Sequence, residues 1–142
     1  MERKTFLKTC GFACLGGGFL ATVIESCKGS KIISGTIENS DLVIPVSSFQ
    51  TGDSFRKYLI SQPEILKYPI CIYRFSDTKY TAMLMRCTHQ GTQLEVYGDR
   101  LECPAHGSEF NDQGIVMEGP AQLNLRTFPV TIQKDQLYIS LK

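Results

Sequence analysis

Cys87-Thr88-His89 is followed, after thirteen residues, by Cys103-Pro104-Ala105-His106. Each box pairs one soft thiolate donor with one imidazole, two residues apart in the first and three in the second, so a tight loop can present both. Gly91, Gly98 and Gly107 supply permissive backbone around the boxes, and Pro104 stiffens the second. The chain has 2 histidines in all, and both lie here. Four donors in two boxes read as a metal site, and at this level a structural zinc fits them too.

Around the boxes, short runs rich in β-branched and aromatic residues recur between turn residues, which predicts an all-β domain. The expected strands are 42–49, 69–75, 80–86, 93–97, 100–102, 125–132 and 136–141, with hairpin turns at Asp77-Thr78, Gly98-Asp99 and Lys134-Asp135. Within 53–66, Phe55, Tyr58 and Leu59 approach an i, i+3, i+4 spacing, so a helical turn is expected there, ended by Pro63. Cys71 lies in an apolar strand and reads as a core thiol.

The 142 residues suit one domain and one core, and 42% apolar residues suffice to pack it. A formal charge of +1 excludes an electrostatically driven nucleic-acid partner. No catalytic nucleophile, carboxylate pair or phosphate loop stands out.

The N-terminus is a basic segment, Arg3-Lys4-Thr5-Phe6-Leu7-Lys8, then an uncharged run from Thr9 to Ile24. As a helix those residues would span ~24 Å, short of a ~30 Å hydrocarbon core, so 1–27 reads as a signal or short anchor. The first run resembles a twin-arginine signal with Lys4 in place of the second arginine. Ile24-Glu25-Ser26-Cys27 resembles a bacterial lipobox, with Cys27 as the lipidation site and Glu25 the departure from its pattern. Residues 28–41 turn polar and are expected to be a flexible tether, leaving 42–142 as the folded domain. From Cys27 onward there are 12 basic and 12 acidic residues, so no broad charged footprint remains.

The pattern C-x-H, a spacer, then C-x-x-H-G-S resembles that of Rieske iron-sulfur proteins, in which two histidines replace two cysteines on one iron of a [2Fe-2S] cluster. The resemblance runs on through Phe110, Asp112, Gly114, Val116 and Gly119-Pro120-Ala121, similar to the family's segment leading into its proline loop. It implies Rieske-type antiparallel sheets with a small cluster-binding subdomain over 86–120. It implies Cys87 and Cys103 on the buried iron and His89 and His106 on the outer one, with Gly107, Ser108, Phe110 and Pro120 around the cluster. Neutral imidazoles in place of thiolates remove negative charge and raise the reduction potential. Ser108 matches a serine that donates to a bridging sulfide, whereas Phe110 stands where high-potential members often carry a tyrosine donor. An intermediate to fairly high potential is therefore expected.

The cysteines that form a disulfide in quinol-oxidising members are replaced by Thr92 and Ala105, so no disulfide is expected. Gln90 stands where those members often have leucine. The resemblance implies an exported, membrane-tethered electron-transfer subunit on the periplasmic face of a bacterial inner membrane. Its partners would be cytochrome b-like and cytochrome c-like subunits of a quinol-oxidising complex, with His106 contacting quinol. The alternatives are the small subunit of a periplasmic molybdenum oxidoreductase such as arsenite oxidase, a Rieske ferredoxin, and a zinc-binding structural module.

Overall fold

Ile70-Cys71-Ile72-Tyr73 is apolar at every position, the signature of a strand covered on both faces rather than one. The computed structural model, which describes residues 31–142, places this run at the centre of the molecule. In chain order the strands are β1 (Ile32–Ile33), β2 (Thr36–Glu38), β3 (Asp41–Pro45), β4 (Gln50–Thr51), β5 (Ser54–Phe55) and β6 (Tyr58–Ser61). They continue as β7 (Ile70–Arg74), β8 (Tyr80–Leu84), β9 (Glu95–Tyr97), β10 (Arg100–Glu102), β11 (Glu109–Asn111) and β12 (Val116–Glu118). β13 (Thr127–Phe128), β14 (Val130–Gln133) and β15 (Gln136–Ser140) complete the series, and a 3-10 turn at Val46–Phe49 follows β3.

Three sheets carry the architecture. The central one has the order β1-β6-β7-β8-β13, antiparallel except for the parallel pair β1–β6. A base sheet runs β14-β15-β3-β2, and a third, β12-β11-β10-β9, forms the small subdomain around the Cys and His boxes; both are antiparallel. β4 and β5 make a separate hairpin.

Alternation along the central strands divides the interior in two. Leu59, Ile70, Ile72 and Ala82 face the base sheet and pack with Leu42, Ile44, Phe49, Phe128, Leu137 and Ile139. Their neighbours Ile60, Cys71, Tyr73 and Met83 face the opposite way and pack with Met85, Cys87, Leu94, Leu101, Cys103 and Phe110. The candidate ligands Cys87 and Cys103 therefore belong to a core built on the back of a sheet that the base holds in place. Burial raises the Cys71 thiol far above its ordinary range, as befits a packed thiol.

The expected two-residue turns fall at Gly98-Asp99, between paired Tyr97 and Arg100, and at Lys134-Asp135, between Gln133 and Gln136. The expected strand 125–132 is divided into β13 and β14 around Pro129, which has no N–H to give a ladder. Two expectations need correction. Residues 53–66 hold no helical turn: β5 and β6 occupy the segment, and Leu59 faces one core while Ile60 faces the other. The tether expected over 28–41 is already folded from Ile32, because β1 pairs with β6 and β2 with β3. Gly35 lies so near β3 that a Cβ there would run into the Leu42 side chain. The segment looks polar because every β2 residue is exposed. Cys27 and the signal or anchor read over 1–27 lie outside the described residues. Among the described residues no helix is long and apolar enough to cross a membrane.

Candidate metal centre

Two loops at one end of the third sheet present the boxes. The first leaves the central sheet after β8 and enters β9; the second joins β10 to β11. In the first, the Gly91 N–H donates to the Cys87 carbonyl at 2.9 Å and the Cys87 N–H to the Thr92 carbonyl at 2.8 Å. In the second, Gly107 donates to Cys103 at 2.9 Å and Cys103 to Ser108 at 2.8 Å. Both glycines sit in the left-handed region, at φ +79° and +76°, where a Cβ would be strained. A third segment, after β12, closes over both: the Ala121 N–H donates to Ser108 Oγ at 3.0 Å, and Thr88 Oγ1 donates to the Leu123 carbonyl at 2.6 Å.

The loops bring the four candidate ligands together as two pairs. Cys87 and Cys103 are buried free thiols packed in one core. His89 and His106 are exposed, their ring centroids 5.1 Å apart and their planes at 82°. Burial alone would push the Cys103 thiol up. Donors outweigh it: the backbone N–H groups of Ala105 and His106, then Cys87 and Thr92, hold it below the ordinary thiol range. The site is thus set up to keep a thiolate in an apolar setting.

Among the described residues no three or more Cys, His, Asp or Glu side chains gather as a site for a single ion. A single tetrahedral zinc draws its ligands to one point. An inner cysteine pair beside an outer histidine pair fits a centre of two metal atoms, each with its own pair of ligands. The three cysteines of the described region are free. Ser108 is fully buried, and its oxygen accepts from the Ala121 N–H. Phe110 is fully buried in the core beneath the loops and offers no hydroxyl. Pro120 lies exposed in the closing segment.

The model of the Rieske [2Fe-2S] domain matches residues 40–129. The chain belongs to the Rieske [2Fe-2S] family. Its cofactor is accordingly a [2Fe-2S] cluster, and its activity is electron transfer. This Rieske chain is 30% identical over 81 residues to the cytochrome b6-f complex iron-sulfur subunit of Chlorobaculum tepidum, covering 49% of itself and 45% of that protein. It is 35% identical over 83 residues to the oxygenase component of dicamba O-demethylase from Stenotrophomonas maltophilia, covering 51% of itself and 24% of that protein. It therefore spans less than half the length of these curated relatives. Among solved structures, the cyanobacterial plasma membrane Rieske protein PetC3 from Synechocystis PCC 6803 superposes with a TM-score of 0.52 at 25% identity, over 60% of this chain and 87% of that one. A chain from the complex of reduced oxygenase and oxidized ferredoxin in carbazole 1,9a-dioxygenase gives 0.55 at 25% identity, over 74% and 96%.

Sequence reasoning missed the closing contacts. Thr88 and Leu123 are 35 residues apart, and their hydrogen bond follows only from the folded placement of the third segment. If Ser108 donates its hydroxyl to the cluster, as the sequence resemblance implies, Ser108→Ala removes a donor that favours the more negative, reduced state. The midpoint potential of the variant is expected to fall by about a tenfold change in the one-electron equilibrium, ~59 mV. An unchanged midpoint in a redox titration would remove Ser108 from that role.

Proposed function

We propose that this chain is the iron-sulfur subunit of a membrane quinol-oxidising, cytochrome bc-like complex, on the periplasmic face of a bacterial inner membrane. In this reading Cys87 and Cys103 hold the inner iron and His89 and His106 the outer one. The cluster, when bound, supplies a one-electron couple. The protein's part is to bury the thiolates, expose the imidazoles and shape the surface where a donor lands.

The observation that carries the reading is the surface around the histidines. Leu123, 69% exposed, is tied by its carbonyl to Thr88, the residue before His89. An exposed leucine whose backbone is held to the residue before the exposed His89 suits a donor with an apolar body and a polar hydroxyl, as a quinol has. His106 would take the quinol hydroxyl in a hydrogen bond at the ring nitrogen left free of metal, and that nitrogen would receive the proton as the electron leaves. The cytochrome b6-f subunits among the relatives support a multi-subunit redox partner. The N-terminal sequence supports export and membrane attachment.

A second reading, a Rieske ferredoxin, draws support from Thr92 and Ala105, which leave the loops without a covalent clamp, and from the likeness to the carbazole dioxygenase complex. Potential separates the two, since the family spans about −150 to +300 mV. For the quinol-oxidising subunit, the electron paramagnetic resonance signal of the reduced centre is expected with ascorbate alone. A signal that needs dithionite would overturn that reading in favour of the ferredoxin. Co-purification with a large molybdopterin subunit would replace both.

A further inference from the structure

Arg86 stands at the neck of the first ligand loop, directly before Cys87. An isolated bridge between Arg86 and Gln93 closes that neck, and the Met85 N–H donates to the Pro69 carbonyl at 2.8 Å, which brings Tyr68 alongside. The Arg86 side chain does not extend away from the loop. It folds back over Gly91: a Cβ on residue 91 would stand 3.1 Å from Nε of Arg86 and 3.3 Å from Nη2. The guanidinium carbon lies 5.8 Å from the centre of the Tyr68 ring, and Lys67 Nζ lies 5.5 Å from the same ring. A planar, weakly hydrated guanidinium suits a seat against backbone and ring.

No carboxylate neutralises this cation. Among the described residues the ion pairs take Lys57, Arg74 and Arg100, and neither Arg86 nor Lys67 is in one. Glu95, Glu102, Glu109 and Glu118 stand opposite one another across the third sheet, on the face away from the core. There Glu95 accepts from Tyr97 and Glu102 from Arg100. The Gly91 N–H donates to the Cys87 carbonyl, so the guanidinium rests on the turn that carries Cys87 and the exposed His89.

We infer that Arg86 is a specificity-determining charge of the redox centre: fixed against the first ligand loop, it makes that side of the centre positive, favours the reduced state and selects an electron-transfer partner with carboxylates at its contact face. The entering electron brings negative charge, which a nearby fixed cation stabilises by Coulomb attraction. The same field draws an anionic surface in and turns a cationic one away, chiefly through the rate of encounter. Arg86 is exposed, so salt screens both effects. The inference rests on Cys87 and His89 as ligands and is independent of which complex the centre serves.

The test uses cluster-loaded protein in about 0.01 M and about 1 M salt, between which the screening length falls from about 30 to about 3 Å. The wild-type resonance signal first shows that the centre is present, so an unchanged midpoint speaks against Arg86 and not against the ligands. At low salt Arg86→Gln is expected to lower the midpoint by about threefold in the one-electron equilibrium, with Arg86→Lys close to wild type. At high salt the difference is expected to vanish, which a merely structural perturbation would not do. The second readout is the rate at which the reduced centre gives one electron to ferricyanide, an anion, relative to a cationic cobalt(III) complex. That ratio is expected to fall about tenfold in Arg86→Gln at low salt. If Arg86→Gln takes up no cluster, the wild-type rates decide by themselves: oxidation by ferricyanide is expected to slow as salt rises. A midpoint or rate ratio unchanged without the charge would overturn the inference. So would a difference that persists at high salt, Arg86→Lys behaving as Arg86→Gln, or wild-type oxidation by ferricyanide that quickens with salt.

Discussion

Cys103→Ala is expected to purify with less than about a tenth of the wild-type iron and without the resonance signal of the reduced centre. Residues that merely orient a ligand cost about 10–100-fold in metal affinity when replaced, and loss of the ligand itself costs more. Cys103 is buried at the head of the second loop, which its backbone closes by accepting from the Gly107 N–H and donating to the Ser108 carbonyl. Alanine removes the thiolate from that core and leaves Cys87 as the remaining buried thiol of the pair. Elemental analysis together with circular dichroism checks the expectation, because the central and base sheets pack a core of their own and keep their strand signal. Wild-type iron in Cys103→Ala would show that the centre is held elsewhere.

The opposite pattern is expected for Leu137→Ala. Leu137 is fully buried on β15, opposite Ile44, in the core between the base and central sheets. Removing its side-chain carbons loses their transfer free energy and leaves a cavity, which costs about 2–5 kcal/mol in a site of this kind. For a domain of this size that lowers the melting temperature by on the order of 10 °C. The midpoint potential is expected to stay at the wild-type value, because the central sheet separates Leu137 from the core that holds Cys87 and Cys103. Thermal unfolding and redox titration of one preparation read both quantities. A shifted midpoint would mean that the two cores are not mechanically separate.

The site was far more legible in the sequence than the scaffold, for a physical reason. Ligand chemistry demands particular residue types at short spacing, and Cys87, His89, Cys103 and His106 satisfy that demand locally, whatever surrounds them. Turn chemistry is equally local, so Gly98-Asp99 and Lys134-Asp135 were readable. Edge strands are not. β2 is exposed along its whole length, so selection for burial leaves no apolar trace, and its polar residues resemble a linker. Residues 53–66 misled in the other direction: Phe55, Tyr58 and Leu59 mimic a helical stripe, although the chain alternates there between two cores.

The central claim, a two-iron centre held by a cysteine pair and a histidine pair, is tested most directly by metal and acid-labile sulfide analysis of the wild-type protein, joined to its electron paramagnetic resonance spectrum after dithionite reduction. About two irons and two sulfides per chain, with a Rieske-type signal, are expected. A colourless protein with one zinc per chain and no signal would contradict it.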